Sequence, residues 1–191
     1  MKKISGLFVF LALSVSLFAC SAQEQPGKEL PEPVRPSVPD KDDEDQYLKD
    51  EGALRLVTYN VGSFSKSDKT SCGLVSAMML ELKADVISFN ELDRNTDRSG
   101  RVDQLAEVAA GMDGWKYVFA KAISLGGGEY GNGIAYNPVT VGEPVSQFTI
   151  AFPEAAEPRV CLVLEFEDFV FASTHLDVAS PTERVAEVTE I

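Results

Sequence analysis

Three short apolar runs that each end in a cluster of polar residues are the strongest constraint on the fold of this chain. The clusters are Thr58-Tyr59-Asn60, Asn90-Glu91-Leu92-Asp93 and Ser173-Thr174-His175-Leu176-Asp177. Runs of this length and apolarity are typical of strands buried inside a sheet. Because groups at strand ends converge at one edge of a sheet, the three clusters are predicted to meet there and form a site.

The segments between these runs predict a mixture of helices and strands. Helices are predicted at 72–83, with Ser71 as the N-cap, and at 101–112. Strands are predicted at 115–120 and 133–136, and a hairpin at 160–173. The capping box Ser180-Pro181-Thr182-Glu183 predicts the start of a last helix. Gly126-Gly127-Gly128 is interpreted as a flexible loop. The pattern as a whole favours an α+β fold with two sheets flanked by helices.

The N-terminal segment carries the signature of an export signal. Lys2 and Lys3 precede an apolar run at 4–18 that ends in Leu17-Phe18-Ala19-Cys20. Such a run is too short and wrongly flanked for a spanning helix and is typical of a secretory signal. Its last residues resemble a bacterial lipobox, which implies lipidation of Cys20 and an exported protein anchored to a membrane. A plain signal peptide cleaved near Ala22 is the alternative.

These signals divide the chain into three parts: a signal peptide at 1–19, a tether at 20–52 and a domain at 53–191. The tether is rich in proline and contains an acidic run at 40–45, so it has too few apolar side chains to fold. The two cysteines of the domain, Cys72 and Cys161, are interpreted as buried thiols.

The charge of the domain argues against long nucleic acids as partners. From Ala53 onward the sequence has 11 basic and 20 acidic residues, a net charge of −9. Non-specific nucleic-acid affinity comes largely from Lys and Arg side chains that displace counterions, and this domain has few of them. Small phosphorylated metabolites or lipid head groups are therefore favoured as substrates over long DNA or RNA. No protein partner is inferred.

The polar clusters, taken in order, match the motifs of a known family. Tyr59-Asn60 follows a strand, Asp85-Val86-Ile87 leads to Glu91-Leu92-Asp93, and Thr174-His175-Leu176-Asp177 precedes Arg184; Gly131-Asn132-Gly133 and Arg159 lie between them. This order is similar to the endonuclease/exonuclease/phosphatase superfamily, with its signatures T-x-N, D-x-[IV]-x-x-Q-E and [ST]-x-H-L-[DE]. The resemblance covers 54–191 and implies a four-layer α/β/β/α sandwich, incomplete in this chain.

The resemblance also implies roles for individual residues in a Mg²⁺- or Mn²⁺-dependent phosphoesterase. Glu91 would be the principal metal ligand, and Asn60 would give the metal site an oxygen or a hydrogen bond. His175 would bind or polarise a phosphate oxygen. The remaining substrate-binding candidates are Asn132, Arg159 and Asp177. Each residue alone has a simpler interpretation: Asn60 as a turn cap, Glu91 as a solvated strand end and His175 as a core side chain.

The sequence departs from the family pattern at two places. Asn90 stands where the family commonly has glutamine. The later G-D-x-N segment and the final aspartate-histidine pair are absent, since His175 is the single histidine. Two hypotheses follow. The chain is the first portion of a metal-dependent phosphoesterase, with little or no turnover by itself, or it is a non-enzymatic surface lipoprotein with a phosphoesterase-like binding domain.

Overall fold

The computed structural model describes residues 8–14, 47–65, 71–152 and 157–191. In chain order, the strands are β1 (Phe8–Ser14), β2 (Leu56–Asn60), β3 (Val86–Arg94), β4 (Lys116–Leu125), β5 (Gly128–Tyr136), β6 (Ser146–Ala151), β7 (Val160–Glu165) and β8 (Phe169–His175). The helices are α1 (Cys72–Glu81), α2 (Gln104–Ala110), α3 (Pro138–Val141) and α4 (Pro181–Thr189). The predicted α+β class with two sheets is confirmed.

The first sheet has the strand order β2-β3-β5-β4. β2 and β3 run parallel, so their carboxyl ends, with Asn60 opposite Asn90, lie at the same edge. β5 is antiparallel to both β3 and β4. Helices α1 and α2 cover the outer face of this sheet with a core that includes Met79, Leu105 and Val108.

The second sheet has the order β1-β8-β7-β6 and packs face to face against the first. Alternate residues of β7 point to opposite faces, as expected for a strand. Leu162 and Leu164 belong to the core between the two sheets, whereas Cys161 and Val163 belong to a smaller cluster on the other face. This packing brings the carboxyl end of β8, which carries His175, near the carboxyl ends of β2 and β3.

The N-terminal apolar run takes part in the second sheet in this structure. Phe8–Ser14 pairs in parallel with Phe169–His175 along the whole of β8. The sequence predicts instead that this segment is a signal outside the fold. The physical reason for the difference is that an apolar run of β-prone residues has the length and composition to pair with the edge of β8. The signal peptide stays a prediction, and Cys20 lies outside the described residues.

The tether that was predicted to run to residue 52 contacts the domain from Tyr47 onward. Lys49 Nζ donates to both carboxylate oxygens of the buried Asp85, at 2.9 and 2.7 Å. The Arg55 guanidinium donates to the carbonyl oxygens of Tyr47 and Leu48. These contacts lie at the amino ends of β2 and β3, away from the edge that carries Asn60 and Asn90.

Several local predictions hold and others need correction. Ser71 caps α1, and Ser180 caps α4 through the Glu183 amide. α2 is shorter than predicted, since it starts after its N-cap Asp103. The glycine segment is not a flexible loop: Gly126 and Gly127, both with positive φ, form the two-residue turn of the β4–β5 hairpin. Glycine pairs suit this type I′ geometry.

β6 and the short α3 were not anticipated from the sequence. Cys161 is buried, and this burial raises the pKa of its thiol to about 11. Cys72 is half-buried, and both thiols are free. None of the helices in the described ranges has the length and apolarity needed to cross a bilayer.

Candidate active site

Asn60, Glu91 and His175 meet at one edge where the two sheets come together, and we call these three residues the rim. Asn60 Nδ2 donates a hydrogen bond of 2.7 Å to Glu91 Oε1. His175 Nε2 lies 3.5 Å from the same carboxylate oxygen. The His175 side chain is 3% exposed and that of Glu91 is 17% exposed, so the carboxylate keeps access to solvent. The strand-end clusters therefore converge as the sequence predicts.

Glu91 is presented to the rim by a bulge in β3. Phe89 pairs with Gly133 and Leu92 with Gly131, so Asn90 and Glu91 together oppose Asn132 alone. Glu91 has a φ of 58°, a left-handed conformation that costs a residue with a side chain about 1–2 kcal/mol. Such bulges redirect a side chain out of the regular alternation. Strain held at this position points to function rather than to folding.

The turn after β2 is also strained and is held by side chains that sequence analysis missed. Gly62, Ser63 and Phe64 all have positive φ. Gln104 Nε2 donates to the Ser63 carbonyl at 2.9 Å, and its Oε1 accepts from the Asp93 amide at 2.7 Å. Gln104 therefore ties the turn that follows Asn60 to the bulge that carries Glu91. A glutamine at a helix start carries no sequence signal for such a role.

The predicted substrate contact Asn132 is engaged in structural bonds. It is 4% exposed, its Oδ1 accepts from Asn90 Nδ2 at 3.2 Å, and its Nδ2 donates to the Val160 carbonyl at 3.1 Å. Thr174 Oγ1 donates to that same carbonyl at 3.0 Å. Asn132 thus links the two sheets beneath the rim, and a direct contact with substrate stays a prediction.

Arg159, the second predicted substrate contact, stands at the start of β7 and is 7% exposed. Its Nη1 lies 3.0 Å from Glu157 Oε1. Within the described residues, its buried Nε makes no hydrogen bond. A buried guanidinium nitrogen without a partner is costly, and an anionic ligand would relieve that cost.

Asp177, the third predicted substrate contact, shapes the loop after β8. Its Oδ1 accepts from the amides of Ala179 and Ser180, at 2.8 and 2.7 Å. Its own amide donates to Glu187 Oε2 at 2.8 Å. These bonds connect the end of β8 to α4 and are structural, and a contact between Asp177 and substrate stays a prediction. Glu187, which sequence analysis did not select, is 1% exposed.

Glu187 is expected to make the stability of the domain dependent on pH. Burial, and then the nearby Asp177 charge, raises the pKa of Glu187 above its ordinary value of 4.5. Above pH 4.5 the folded state therefore retains a proton that the unfolded state has lost, and stability falls as pH rises towards the folded pKa. Glu187→Gln should raise the melting temperature at pH 7 by roughly 3 °C, since a poorly satisfied buried group costs about 1 kcal/mol.

The measurement is thermal unfolding between pH 4.5 and 7.5. Glu190→Gln, at an exposed position of the same helix end, is the matched control and should leave the pH profile unchanged. A Glu187→Gln profile that falls with pH as steeply as the wild type would contradict the assignment.

The donors at the rim suit a hard divalent cation. Glu91 offers a carboxylate, and Asn60 is beside it, although the Asn60 amide oxygen accepts from the Gly62 amide at 2.9 Å and its nitrogen faces Glu91. Among the described residues, no three His, Cys, Asp or Glu side chains cluster as a ready metal cage. Mg²⁺ needs only one or two carboxylates because it keeps several waters. The residues present therefore fit Mg²⁺ or Mn²⁺, which Glu91 would bind as a ligand and Asn60 would support by orienting that carboxylate.

Comparison with solved structures identifies the fold. A mannosyl-6-phosphatase of Bacteroides thetaiotaomicron aligns with a TM-score of 0.55 and 16% identity, over 72% of this chain and 57% of that one. The chain has the endonuclease/exonuclease/phosphatase fold. A second protein of that family from the same organism aligns with a TM-score of 0.55 and 17% identity, over 71% of this chain and 53% of that one.

A third structure with the endonuclease/exonuclease/phosphatase fold, from Beutenbergia cavernae, aligns with a TM-score of 0.52 and 19% identity, over 72% of this chain and 42% of that one. The chain thus spans about half the length of these structures. No protein-family model and no curated protein matches the sequence. At these identities, the shared property is the endonuclease/exonuclease/phosphatase fold.

Proposed function

We propose that this chain carries the metal-binding half of a phosphoesterase site, in which Glu91 holds Mg²⁺ or Mn²⁺ and His175 contacts the phosphoryl group. The observation that supports this most directly is the convergence of Asn60, Glu91 and His175 within hydrogen-bond or ion-pair distance. These residues come from three strands in two sheets. The Glu91 carboxylate stands on a strained bulge, and the neighbouring His175 imidazole is buried where the two sheets meet. Strain and burial of this kind destabilise the fold, and a bound ligand would offset that cost.

Each rim residue has a distinct task in this proposal. Asn60 orients the Glu91 carboxylate, which would bind the cation, by donating to Oε1. A bound divalent ion would neutralise phosphoryl charge and lower the pKa of a coordinated water. His175 donates from its imidazole to a phosphoryl oxygen, and Arg159 offers its buried Nε to another. Charge neutralisation and positioning are the main requirements of phosphoryl transfer.

The substrates that we propose are small phosphorylated compounds. The acidic domain surface disfavours polymeric nucleic acid, as argued from its net charge. The structure of similar fold that is named a mannosyl-6-phosphatase acts, by that name, on a sugar phosphate. A sugar phosphate or a lipid head group would fit a rim that carries few cationic side chains.

We also propose that the protein is exported and held at a membrane by a lipid on Cys20. The support is the sequence Leu17-Phe18-Ala19-Cys20 after an apolar run. Two or more acyl chains would be needed for a stable anchor, because a single chain binds only marginally. The contacts of Lys49 and Arg55 lie at the amino ends of β2 and β3, so the chain approaches the domain on the side opposite the rim.

The proposed activity is tested by the hydrolysis of two phosphoesters, mannose 6-phosphate and bis(p-nitrophenyl) phosphate. Released phosphate or nitrophenol is measured with Mg²⁺ present and with the cation removed by a chelator. We expect little turnover from this chain, because its sequence has no aspartate-histidine pair to act as general base. The turnover that remains should need the cation, which would neutralise phosphoryl charge, and should fall at least about 100-fold without it. Turnover that persists unchanged in the chelator contradicts the proposal.

A binding function is the second candidate, and one observation favours it. His175 is the single histidine of the chain, so an aspartate-histidine pair that would act as general base is absent from the sequence. In that case the rim binds cation and phosphate without hydrolysing the ester. Saturable cation and phosphate binding without any release from either ester would favour this candidate over the enzyme.

A further inference from the structure

Arg98 and Tyr130 form a rigid surface next to the rim that the proposed reaction does not use. The Arg98 Nε and Nη2 donate to the two carboxylate oxygens of Asp93, at 2.7 and 2.8 Å. Nη2 also donates to Ser63 Oγ at 2.9 Å, and the guanidinium carbon lies 5.4 Å from the centre of the Tyr130 ring. Asp93 is fully buried, whereas the Arg98 side chain is 51% exposed. Arg98 is thus a cation fixed in place at the surface.

One donor of this fixed guanidinium is available to a ligand. Nε and Nη2 are engaged by Asp93 and Ser63, whereas Nη1 of Arg98 makes no hydrogen bond to any residue in the described part of the chain. A long side chain that is already fixed loses less conformational entropy when a ligand binds. Arg98 therefore offers a hydrogen-bond donor next to the partly buried Tyr130 ring, over which its guanidinium lies.

Both residues lie close to Glu91, because Tyr130 pairs across the sheet with Asp93, two positions after Glu91, and Arg98 donates to the Asp93 carboxylate. The bond from Asp93 is the largest cause that raises the pKa of Arg98, and the charges of Tyr130 and Glu91 add to it. Burial, and then the Glu91 charge, raises the pKa of Tyr130 to about 12, while Arg159 acts in the opposite direction. Tyr130 therefore stays protonated at neutral pH, beneath the Arg98 guanidinium.

The charges around this surface decide which ligand chemistry it suits. Arg98 is paired with Asp93, and Arg159 with Glu157, so both cations are already compensated by carboxylates. Glu91 adds a negative charge, and a divalent cation would bring the group to a single net positive charge. That charge suits one phosphoryl group and leaves none for a second anion.

Building on the phosphoesterase function proposed above, we infer that Arg98 and Tyr130 form the subsite for an uncharged, hydroxyl-rich leaving group such as a hexose. Arg98 Nη1 donates to a sugar hydroxyl, and the Tyr130 ring packs against the apolar face of the sugar. The phosphoryl group at the other end of the same molecule is held at the rim by His175 and the cation on Glu91.

The test compares mannose 6-phosphate with inorganic phosphate, each titrated calorimetrically into the whole chain with Mn²⁺ present. The two probes share the phosphoryl group, and only the first has a leaving group; ³¹P NMR after each titration verifies that the ester is intact. We expect Arg98→Gln and Tyr130→Leu each to weaken mannose 6-phosphate about 10-fold, as expected for one lost contact, and to leave phosphate affinity within about twofold.

Arg94 offers a matched control for Arg98. It also pairs with a carboxylate, Glu129, and lies 4.3 Å from the centre of an aromatic ring, that of Phe119. Arg94→Gln should leave the affinity for both probes unchanged. Tyr130→Leu keeps the Arg98–Asp93 pair, so it decides the question should Arg98→Gln fail to fold. Mannose 1,6-bisphosphate should bind the wild type no more than about twofold more tightly than mannose 6-phosphate, because the surface has no spare positive charge.

Three outcomes overturn the subsite. These are an equal loss for both probes, no loss for either variant, and a wild-type chain that binds mannose 6-phosphate no more tightly than phosphate. A bisphosphate that binds 10-fold more tightly overturns the uncharged leaving group. A titration with Mn²⁺ alone tests the proposed function separately from the subsite. A chain that binds Mn²⁺ through Glu91 but shows no preference for the sugar phosphate refutes the subsite and leaves the metal site intact.

Discussion

Glu91→Gln is expected to weaken Mn²⁺ binding by about 100-fold or more, measured as free Mn²⁺ by electron paramagnetic resonance. The substitution keeps the shape of the side chain and removes the one carboxylate that the rim offers to a cation. Loss of a residue that merely orients a ligand typically costs 10–100-fold in metal affinity, so loss of the ligand itself should cost at least the upper value. The same variant should abolish any Mg²⁺-dependent turnover.

The control for this experiment is Glu165→Gln. Glu165 is a partly buried strand carboxylate like Glu91, but it pairs with Val170, towards the end of β8 remote from His175. The Glu165→Gln protein should bind Mn²⁺ with the affinity of the wild type. An equal loss in the two variants would mean that the cation responds to the net charge of the domain rather than to the rim.

Asn60→Ala separates the two tasks that sequence analysis left open for this residue. The structure has the Asn60 nitrogen, not its oxygen, facing Glu91. An orienting role predicts a loss of Mn²⁺ affinity of about 10-fold, at the lower end of what such partners contribute. A loss as large as that of Glu91→Gln would make Asn60 a direct ligand.

The convergence of Asn60, Glu91 and His175 was predictable because it depends on strand periodicity and on where apolar runs end. Parallel pairing of β2 and β3 puts Asn60 beside Asn90, and packing of the sheets adds His175. Both effects follow from hydrophobic patterns that are visible in the sequence. The fold class followed from the same patterns.

The hydrogen bonds that hold the rim residues in position were not predictable. They depend on tertiary contacts between residues that carry no local sequence signature. Gln104 links Ser63 to Asp93 across 41 and 11 positions of the chain. Asn132, selected from its motif as a substrate contact, also bonds to Asn90 and Val160, and no local pattern indicates those two bonds. In the same way, nothing in the local sequence around Phe8–Ser14 indicates that it pairs with β8, since an export signal and a β-strand are both apolar.

Gly131→Ala is expected to be the most destabilising single-methyl change in the domain, because it affects the strand pairing beneath Glu91. A Cβ at Gly131 would lie 2.0 Å from the Ala120 carbonyl oxygen and 3.0 Å from the Ala122 nitrogen, both backbone atoms of β4. Backbone cannot move aside as a flexible side chain can, so the β4–β5 pairing must shift at its own irregularity between Lys121 and Ile123.

Overpacking of this kind costs typically up to about 3 kcal/mol, and the clash with backbone places Gly131→Ala at that limit, which corresponds to a fall of roughly 10 °C in melting temperature. Gly73→Ala is the matched control, because a Cβ there meets nothing within 4 Å inside α1. It should raise stability by up to about 1 kcal/mol, since alanine loses less backbone entropy than glycine in a helix. Since Gly131 pairs with Leu92 directly after the bulge, the Gly131→Ala protein that remains folded should also bind Mn²⁺ more weakly than the wild type. Thermal unfolding and Mn²⁺ titration of both variants check the two effects together. A Gly131→Ala protein as stable as the wild type would show that β4 yields without cost, and that the close contact between β4 and β5 does not constrain the Glu91 bulge.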